Sequence, residues 1–305
     1  MVCNRSIFEN YDKEFVDDCI WIDKKKFVSS FLYRIKLLKQ IKKREFSEMV
    51  YCSYSREFLV DSIALVGRAS MKIAFETNLS NLNFMQKRIS DTYYDKLFQL
   101  TDKPLFEFDI NKIFISLLLE QDIDACVPEL ISNNVLNHPS FVEGRYVVLF
   151  IEASNSSKEW EVKNFLEVGN YLQKYFNYEI LVCGVKKRNF NFISNKFIDL
   201  TGKTTLMELT ELISGAELLV SNDTGAMHIG LALNIKTVCI SKGDQFGRFN
   251  PYPKTLSENG RFIFPSEIKD NIKSRILYER GSALNINDIK STKVIELLGE
   301  FIDKN

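Results

Sequence analysis

Residues 218–233 read LLVSNDTGAMHIGLAL, in which two apolar runs flank a short polar stretch. The first run, Leu218–Ser221, is typical of a strand that is covered on both faces. A helix is predicted from Ala226, so Asn222-Asp223-Thr224-Gly225 forms a tight strand-to-helix turn. The unpaired N–H groups of a first helical turn attract anions. This stretch therefore predicts one β-α unit with an anion site at its turn.

The same alternation of strand and helix extends through the second half of the chain. The pattern predicts strands at Tyr146–Ile151, Glu179–Cys183 and Lys236–Ser241, and helices from about Glu161 and over Leu206–Ser214. Such alternation indicates a parallel, doubly wound α/β sheet. Ligands of these sheets bind beyond the carboxyl ends of the strands. Chemistry is therefore expected in the loops after Ile151, Cys183, Ser221 and Ser241.

Three of the polar stretches suit a phosphorylated ligand, and each also has a purely structural interpretation. The loop EASNSSKEW after Ile151 either holds phosphate through hydroxyls and a lysine or is a solvated turn with a surface lysine. Asp223 or Thr224 either serves a ligand or caps the helix. The stretch DLTGKTTL at 199–206 suits a helix-capping loop, and it is not a P-loop because the earlier glycine is missing.

Taken in order, SNSSKEW (154–160), DLTGKTTLMELTELISGAELLVSNDTGAMHIGLAL (199–233) and KTVCISKGDQFGRFNPYP (236–253) resemble family 9 glycosyltransferases, the heptosyltransferase-like group. The resemblance runs from about Tyr146 to Pro253. It implies two Rossmann-like domains in a GT-B-type arrangement, with a nucleotide-sugar donor bound mainly to the second. It also implies inversion at the sugar carbon, no essential metal and no cofactor.

The resemblance also implies a role for individual residues. Lys158 matches a lysine that contacts phosphate, Asp223 an aspartate that contacts the donor sugar, and His228 a histidine that we interpret as organising its loop. Arg248 either faces the sugar or a phosphate or is an ordinary surface arginine. The donor-binding set is Ser154, Ser157, Lys158, Thr204, Asp223, Thr224, Gly225, Ala226, His228 and Arg248.

The first half of the chain gives weaker patterns. We predict strands at Asp18–Asp23, Met49–Cys52 and Lys72–Phe75, one helix through Phe27, Phe31, Ile35, Leu38 and Ile41, and further helices at Phe58–Val66 and Ile113–Glu120. Residues 76–104 are predicted to leave the sheet. Pro128–Gly144 suits an interdomain connection. The predicted domains are residues 1–140, on the acceptor side, and residues 141–305, which bind the donor and end in a helix.

The sequence departs from the family pattern in two places. Family members open with a strand, a Gly-Asp pair and a Thr-Pro, and that aspartate is taken as the base. The one Gly-Asp pair here is Gly243-Asp244, in the wrong domain, so we expect the first β-α unit to be absent and assign no catalytic residue. After Cys183 the chain reads GVKKR where an acid would bind the ribose, which leaves the nucleotide base open.

Composition narrows the function classes. Forty basic residues balance forty acidic ones, which gives no global field that favours nucleic acid. The six cysteines are scattered without a CxxC pair and there are two histidines, so a metal site is not expected. No apolar run suits a membrane span or signal peptide. We expect a cytoplasmic chain with at most peripheral contact at the inner face of the cell membrane.

Three hypotheses follow from the sequence. The first is a glycosyltransferase that moves a heptose-like sugar from a nucleoside-diphosphate sugar, with an ADP-linked donor favoured, to a lipopolysaccharide or other surface-glycan acceptor. The second is a catalytically silent nucleotide-sugar-binding or interaction protein derived from such an enzyme. The third, a sugar-nucleotide epimerase of the same fold, is the least favoured.

Overall fold

The computed structural model describes residues 2–3, 16–100, 105–124, 145–188, 190 and 196–302. The chain divides into two compact units, Met1–Lys103 with Phe108–Asp124, and Pro104–Glu107 with Ala125–Asn305. The predicted connection Pro128–Gly144 and the predicted domain boundary at residue 140 lie outside the described residues. That boundary stays a prediction.

Parallel strands organise the first unit. Its elements are β1 (Val2–Cys3), β2 (Ile20–Trp21), α1 (Lys24–Ser29), α2 (Phe31–Lys42), β3 (Glu45–Tyr51), α3 (Phe58–Val66), β4 (Arg68–Phe75), α4 (Phe84–Asp91), β5 (Lys96–Phe98) and α5 (Glu107–Leu119), of which the first residue, Glu107, is counted with the second unit. Strands β1 and β2 pair with each other, and β3, β4 and β5 form a second sheet in that order. Every one of these pairings is parallel.

Two predictions for the first unit were wrong. In residues 76–100, which the structure describes, the chain returns to the sheet, because α4 is followed by β5 and β5 pairs with β4. Helix α4 exposes Phe84, Met85 and Ile89, which obscures its amphipathic period, and β5 is only three residues long. The single helix predicted from Phe27 to Ile41 is two helices, because Ser30 is extended and its hydroxyl caps α2.

The second unit contains one parallel sheet. Its elements are β6 (Tyr146–Phe150), α6 (Val162–Phe176), β7 (Glu179–Cys183), β8 (Phe197–Asp199), α7 (Leu206–Ser214), β9 (Leu218–Asn222), α8 (Gly225–Ala232), β10 (Thr237–Ile240), β11 (Gly260–Ile263), α9 (Ile272–Tyr278) and α10 (Ser291–Ile302). The strand order is β11-β10-β9-β6-β7-β8. The core lies on both faces of this sheet, and the strand residues of β6 and β9 are all buried.

This strand order fixes where a ligand can bind. The chain runs outward from β6 to β7 and β8, then returns to the other side of β6 to build β9, β10 and β11. The order therefore reverses between β6 and β9, which pair directly. In doubly wound sheets the loops on either side of such a reversal diverge and leave a crevice at the carboxyl ends of the strands.

A buried ionic group lies in the first unit. The Arg56 and Asp61 side chains are fully buried, with Arg56 Nη1 3.6 Å from Asp61 Oδ2. Arg56 also pairs with Asp91 and lies over the ring of Tyr94 at 4.7 Å. Asp61 accepts hydrogen bonds from Tyr94 and Ser90. Burial raises the pKa of the Asp61 carboxyl, and these hydrogen bonds and the Arg56 charge oppose that shift.

Replacing Arg56 by Met should destabilise the first unit by about 3–5 kcal/mol, because Asp61 would stay buried without its cation. Hydrogen exchange read by mass spectrometry should show faster exchange in peptides from residues 45–98, while peptides from residues 146–240 keep their rates. The control is Arg44→Met, since Arg44 pairs with Asp18 at the surface and such pairs stabilise little. Equal exchange in both variants would show that the buried group does not stabilise the unit.

Candidate functional site

Two loops meet at the reversal of strand order. The loop after β6 forms a short 3-10 helix at Ser156–Lys158, and the side chain of Asn155 accepts a hydrogen bond from the Ser157 N–H at 3.0 Å. The turn after β9 leads into α8, which begins at Gly225. Both loops follow the carboxyl ends of adjacent parallel strands, as the sequence predicts.

Lys158 and Asp223 come together across these loops. Lys158 Nζ lies 3.8 Å from Asp223 Oδ2 and 3.6 Å from Asp244 Oδ2, and its side chain is 25% exposed. The lysine therefore faces two carboxylates, which argues against the solvated turn with a surface lysine. Both distances exceed that of a direct hydrogen bond. Neither carboxylate therefore occupies the N–H donors of the ammonium, which stay available to a ligand.

The turn before α8 does not behave as a simple helix cap. Thr224 is the N-cap residue, yet its side chain makes no capping hydrogen bond. Its hydroxyl instead lies 3.2 Å from the Ser221 hydroxyl. The Asp223 carboxylate accepts from Ser241 at 3.4 Å. The capping interpretation is therefore not supported, and neither side chain covers the N–H groups of the first turn at Gly225 and Ala226.

Open space lies beside the start of α8. Apart from its chain neighbours and the backbone of its own helix, a Cβ atom placed on Gly225 would have no heavy atom within 4 Å, whereas at Gly230 in the same helix Thr237 and Leu219 would be in conflict. Packing within the protein therefore does not require glycine at position 225. A ligand that approaches the helix N-terminus does provide a reason for it.

Two site residues were missed by the sequence analysis. Lys242 and Asp244 follow β10, and Lys242 Nζ lies 3.4 Å from Asp244 Oδ2. The same lysine donates to the Ser157 hydroxyl at 3.3 Å. The sequence pattern identifies Gly243-Asp244 only as a Gly-Asp pair in the wrong domain. The useful signal was that it follows one of the four strand ends at which ligands were expected.

The other members of the predicted set have different surroundings. Ser154 is exposed, and Thr204 is half-buried beside Thr205, which is the N-cap of α7. Thr205 and Glu208 form a capping box, so the capping interpretation describes this loop. The donor contacts of Ser154 and Thr204 stay predictions.

Arg248 is not a surface arginine. Its side chain is 9% exposed, and Nε donates to Glu107 Oε2 at 2.6 Å. The Arg248 carbonyl accepts the Glu107 N–H at 2.8 Å, and the guanidinium lies over the Phe249 ring. Glu107 belongs to the second unit, so this pair fixes the loop after β10. The structure thus shows a packing role for Arg248, and its contact with a donor stays a prediction.

The loop after β7 is anchored by an acid from the neighbouring strand. Glu152, which is buried, accepts the N–H groups of Val185 and Lys186 at 2.8 and 2.9 Å. It also accepts from Arg188 Nε at 3.2 Å. The sequence has no acid directly after β7, where the family pattern places one. Glu152, which follows β6, instead accepts hydrogen bonds from that loop and holds it in place.

His228, in α8, contacts Tyr252. Its Nδ1 lies 2.7 Å from the Tyr252 hydroxyl, and the two rings are in contact. Burial lowers the pKa of the His228 imidazole, and the charge of Asp223 opposes that shift. The role of His228 in organising its loop stays a prediction.

Neither metal ligands nor membrane spans emerge from the described residues. Within them, no three histidine, cysteine or acidic side chains are grouped as a metal site. No described helix has the length and apolar character needed to cross a bilayer. Metal independence stays a prediction.

Residues 53–271 match glycosyltransferase family 9 (heptosyltransferase), and the chain belongs to this family. The match extends well into the first unit, beyond the stretch from which the sequence analysis inferred the family. Lipooligosaccharide heptosyltransferase 2 of Campylobacter jejuni subsp. jejuni serotype O:6 is 31% identical over 108 residues. That alignment covers 32% of this chain and 33% of the relative, so the match spans about a third of the relative's length.

Solved structures confirm the GT-B-type fold class. A family 9 glycosyltransferase from Veillonella parvula has a TM-score of 0.69 and 16% identity, covering 100% of this chain and 88% of its own. E. coli heptosyltransferase WaaC with ADP-2-deoxy-2-fluoro heptose gives 0.68 and 12%, covering 98% and 88%. E. coli ADP-heptose lps heptosyltransferase II gives 0.64 and 17%, covering 99% and 88%.

The lowered pKa of His228 predicts a pH dependence of stability. An unfolded histidine takes up its proton near pH 6.5, before the buried one does, so folding stability should be full above about pH 6.5 and decline below it. Between about pH 7.5 and 5.5 the melting temperature of the unaltered chain should fall more than that of His228→Gln, whose amide does not take up a proton.

Differential scanning fluorimetry across this pH range measures the effect. His138→Gln, at the only other histidine of the sequence, is the matched control and should follow the unaltered chain. Identical pH curves for the His228 variant and the unaltered chain would exclude a buried neutral imidazole.

Proposed function

We propose that this chain is an inverting, metal-independent glycosyltransferase that moves a heptose-like sugar from a nucleoside-diphosphate sugar to a lipopolysaccharide or other surface-glycan acceptor. The observation that carries the proposal is the meeting of Lys158, Asp223 and the N-terminus of α8 at the strand reversal. Family membership supports it. The E. coli heptosyltransferase structures with ADP and ADP-2-deoxy-2-fluoro heptose favour an ADP-linked donor.

The Lys158 ammonium and the first turn of α8 are suited to a diphosphate leaving group. As the bond between sugar and phosphate breaks, negative charge grows on the departing diphosphate. Preorganised donors aimed at that charge stabilise the transition state. Lys158 supplies a formal positive charge, while the N–H groups of Gly225 and Ala226 supply the positive end of the helix dipole.

Asp223 is suited to the sugar rather than to the phosphates. Its carboxylate lies beside Lys158 and is 10% exposed. Two anions repel each other, so the diphosphate is expected to lie on the ammonium and helix side. The carboxylate oxygens can then accept hydrogen bonds from sugar hydroxyls and orient the ring for attack from the opposite face.

The catalytically silent binding protein remains the second candidate function. Inversion needs a base that removes the acceptor proton, and the family-like Gly-Asp opening is not found in the first half of the sequence. In the described part of that half, Asp61 and Asp91 are engaged with Arg56. Donor binding without transfer would identify this second function.

Donor binding is tested by thermal shift with ADP, GDP, UDP and CDP, each in EDTA and with Mg²⁺. One nucleotide at a hundred times its dissociation constant should stabilise the chain by about 2.7 kcal/mol, with no dependence on Mg²⁺. Lys158→Ala should weaken its binding by about 1.5–3 kcal/mol, the scale of a charged hydrogen bond. A cooperative melt that none of the four nucleotides shifts would reject a working donor site.

Transfer is measured separately. ADP release from ADP-heptose, with a lipopolysaccharide core acceptor present and absent, distinguishes the two candidate functions. Release that requires the acceptor supports the enzyme. Binding without any release supports the silent protein.

Gly225→Ala should separate folding from ligand binding. The added methyl meets no protein atom within 4 Å, and alanine is favoured over glycine in helices by about 1 kcal/mol, so the melting temperature should hold or rise. Affinity for the preferred nucleotide should fall at least tenfold, because the methyl occupies the ligand's approach. Gly230→Ala is the contrasting control and should lower the melting temperature. Unchanged affinity in Gly225→Ala would place the ligand elsewhere.

A further inference from the structure

A second lysine reaches the site from the neighbouring strand. Lys242 extends from the end of β10 towards the loop after β6, where its ammonium donates to Ser157 at 3.3 Å. Its side chain is 11% exposed, less than half the exposure of the Lys158 side chain. A lysine buried to this degree gives up much of its hydration, so its position requires partners that favour the charge.

One carboxylate oxygen of Asp244 forms ion pairs with both ammonium groups. Asp244 Oδ2 lies 3.4 Å from Lys242 Nζ and 3.6 Å from Lys158 Nζ. The other oxygen, Oδ1, accepts the Ser282 N–H at 2.6 Å, which fixes the carboxylate in place. Two lysines from two different strand ends are thereby brought to the same side of the crevice.

We propose that Lys242 is a second diphosphate-binding residue, and that Lys158 and Lys242 together form a two-ammonium clamp for the donor. The inference rests on the proposed function, since it names a further contact of the same donor. A lysine ammonium is a compact point charge with three donors, and a diphosphate carries charge on two phosphorus centres. The hydrogen bond to Ser157 uses one of the Lys242 donors, and the 3.4 Å ion pair with Asp244 is longer than a direct hydrogen bond, so N–H donors are left for a phosphate oxygen.

The clamp also accounts for the charge balance of the site. Asp223 and Asp244 bring two negative charges close to where an anionic donor has to bind. Lys158 alone would leave this group negative, which would oppose a diphosphate. Lys242 makes the four-residue group neutral, and the dipole of α8 then favours the anion.

Isothermal titration of ADP in EDTA, or of whichever nucleoside diphosphate most stabilises the unaltered chain, tests the clamp. Lys242→Met should raise the dissociation constant about tenfold, whereas Lys242→Arg, which keeps the charge, should stay within about threefold of the unaltered value. The matched control is Lys163→Met, because Lys163 also pairs with a carboxylate, that of Glu161, but on the surface of α6. The control should bind as the unaltered chain does.

The outcomes separate this inference from the proposed function. If the unaltered chain binds none of the nucleotides, the donor site itself fails. If it binds one and Lys242→Met binds equally well, the donor site stands and the clamp is rejected. Should Lys242→Met melt at a lower temperature without ligand, Lys242→Gln replaces it, since its amide can still donate to Ser157. Equal losses in the Arg and Gln variants would also reject the clamp, because the charge would then not matter.

Discussion

The side-chain amide of Asn222 joins the two strand ends on which the rest of the second unit's site depends. Its Nδ2 donates to the Ile151 carbonyl at 3.1 Å, and its Oδ1 accepts the Trp160 N–H at 3.0 Å. The residue is fully buried, so both hydrogen bonds form away from water. The loop that carries Lys158 lies between these two attachment points. Asn222, which precedes Asp223 in the same turn, therefore fixes the loop that carries Lys158. This places Lys158 opposite Asp223.

The sequence predicted the centre of the second unit well and its edges poorly. Glu179–Cys183 and Leu206–Ser214 were predicted with the bounds that the structure shows. Central parallel strands are buried on both faces and give continuous apolar runs, which single sequences reveal clearly. The edge strands Phe197–Asp199 and Gly260–Ile263 were not predicted, because they are short and carry polar or glycine residues among the apolar ones. The same weakness explains the error at residues 76–104.

The proximity of Lys158 to Asp223 could be expected, since carboxyl ends of adjacent parallel strands meet at one edge of the sheet. The contribution of Asp244 to the site could not be predicted from adjacent strand ends. It depends on the left-handed backbone of Gly243, which turns the chain back, and on an N–H group from Ser282, 38 residues further on. Arg248 shows the converse case, because its partner Glu107 lies 141 residues away in sequence. Long-range pairings of this kind leave no local pattern.

The neutrality of the four charged site residues bears on how fast a nucleotide can arrive. Lys158 and Lys242 balance Asp223 and Asp244 within one small group, and the whole chain also carries no net charge. A site of this kind projects almost no field beyond its first few ångströms, so anions in solution are not steered towards it. Encounter is then governed by diffusion and orientation, and it depends little on ionic strength. Selectivity among the many phosphate compounds of a cell would then come from differences in their dissociation rates.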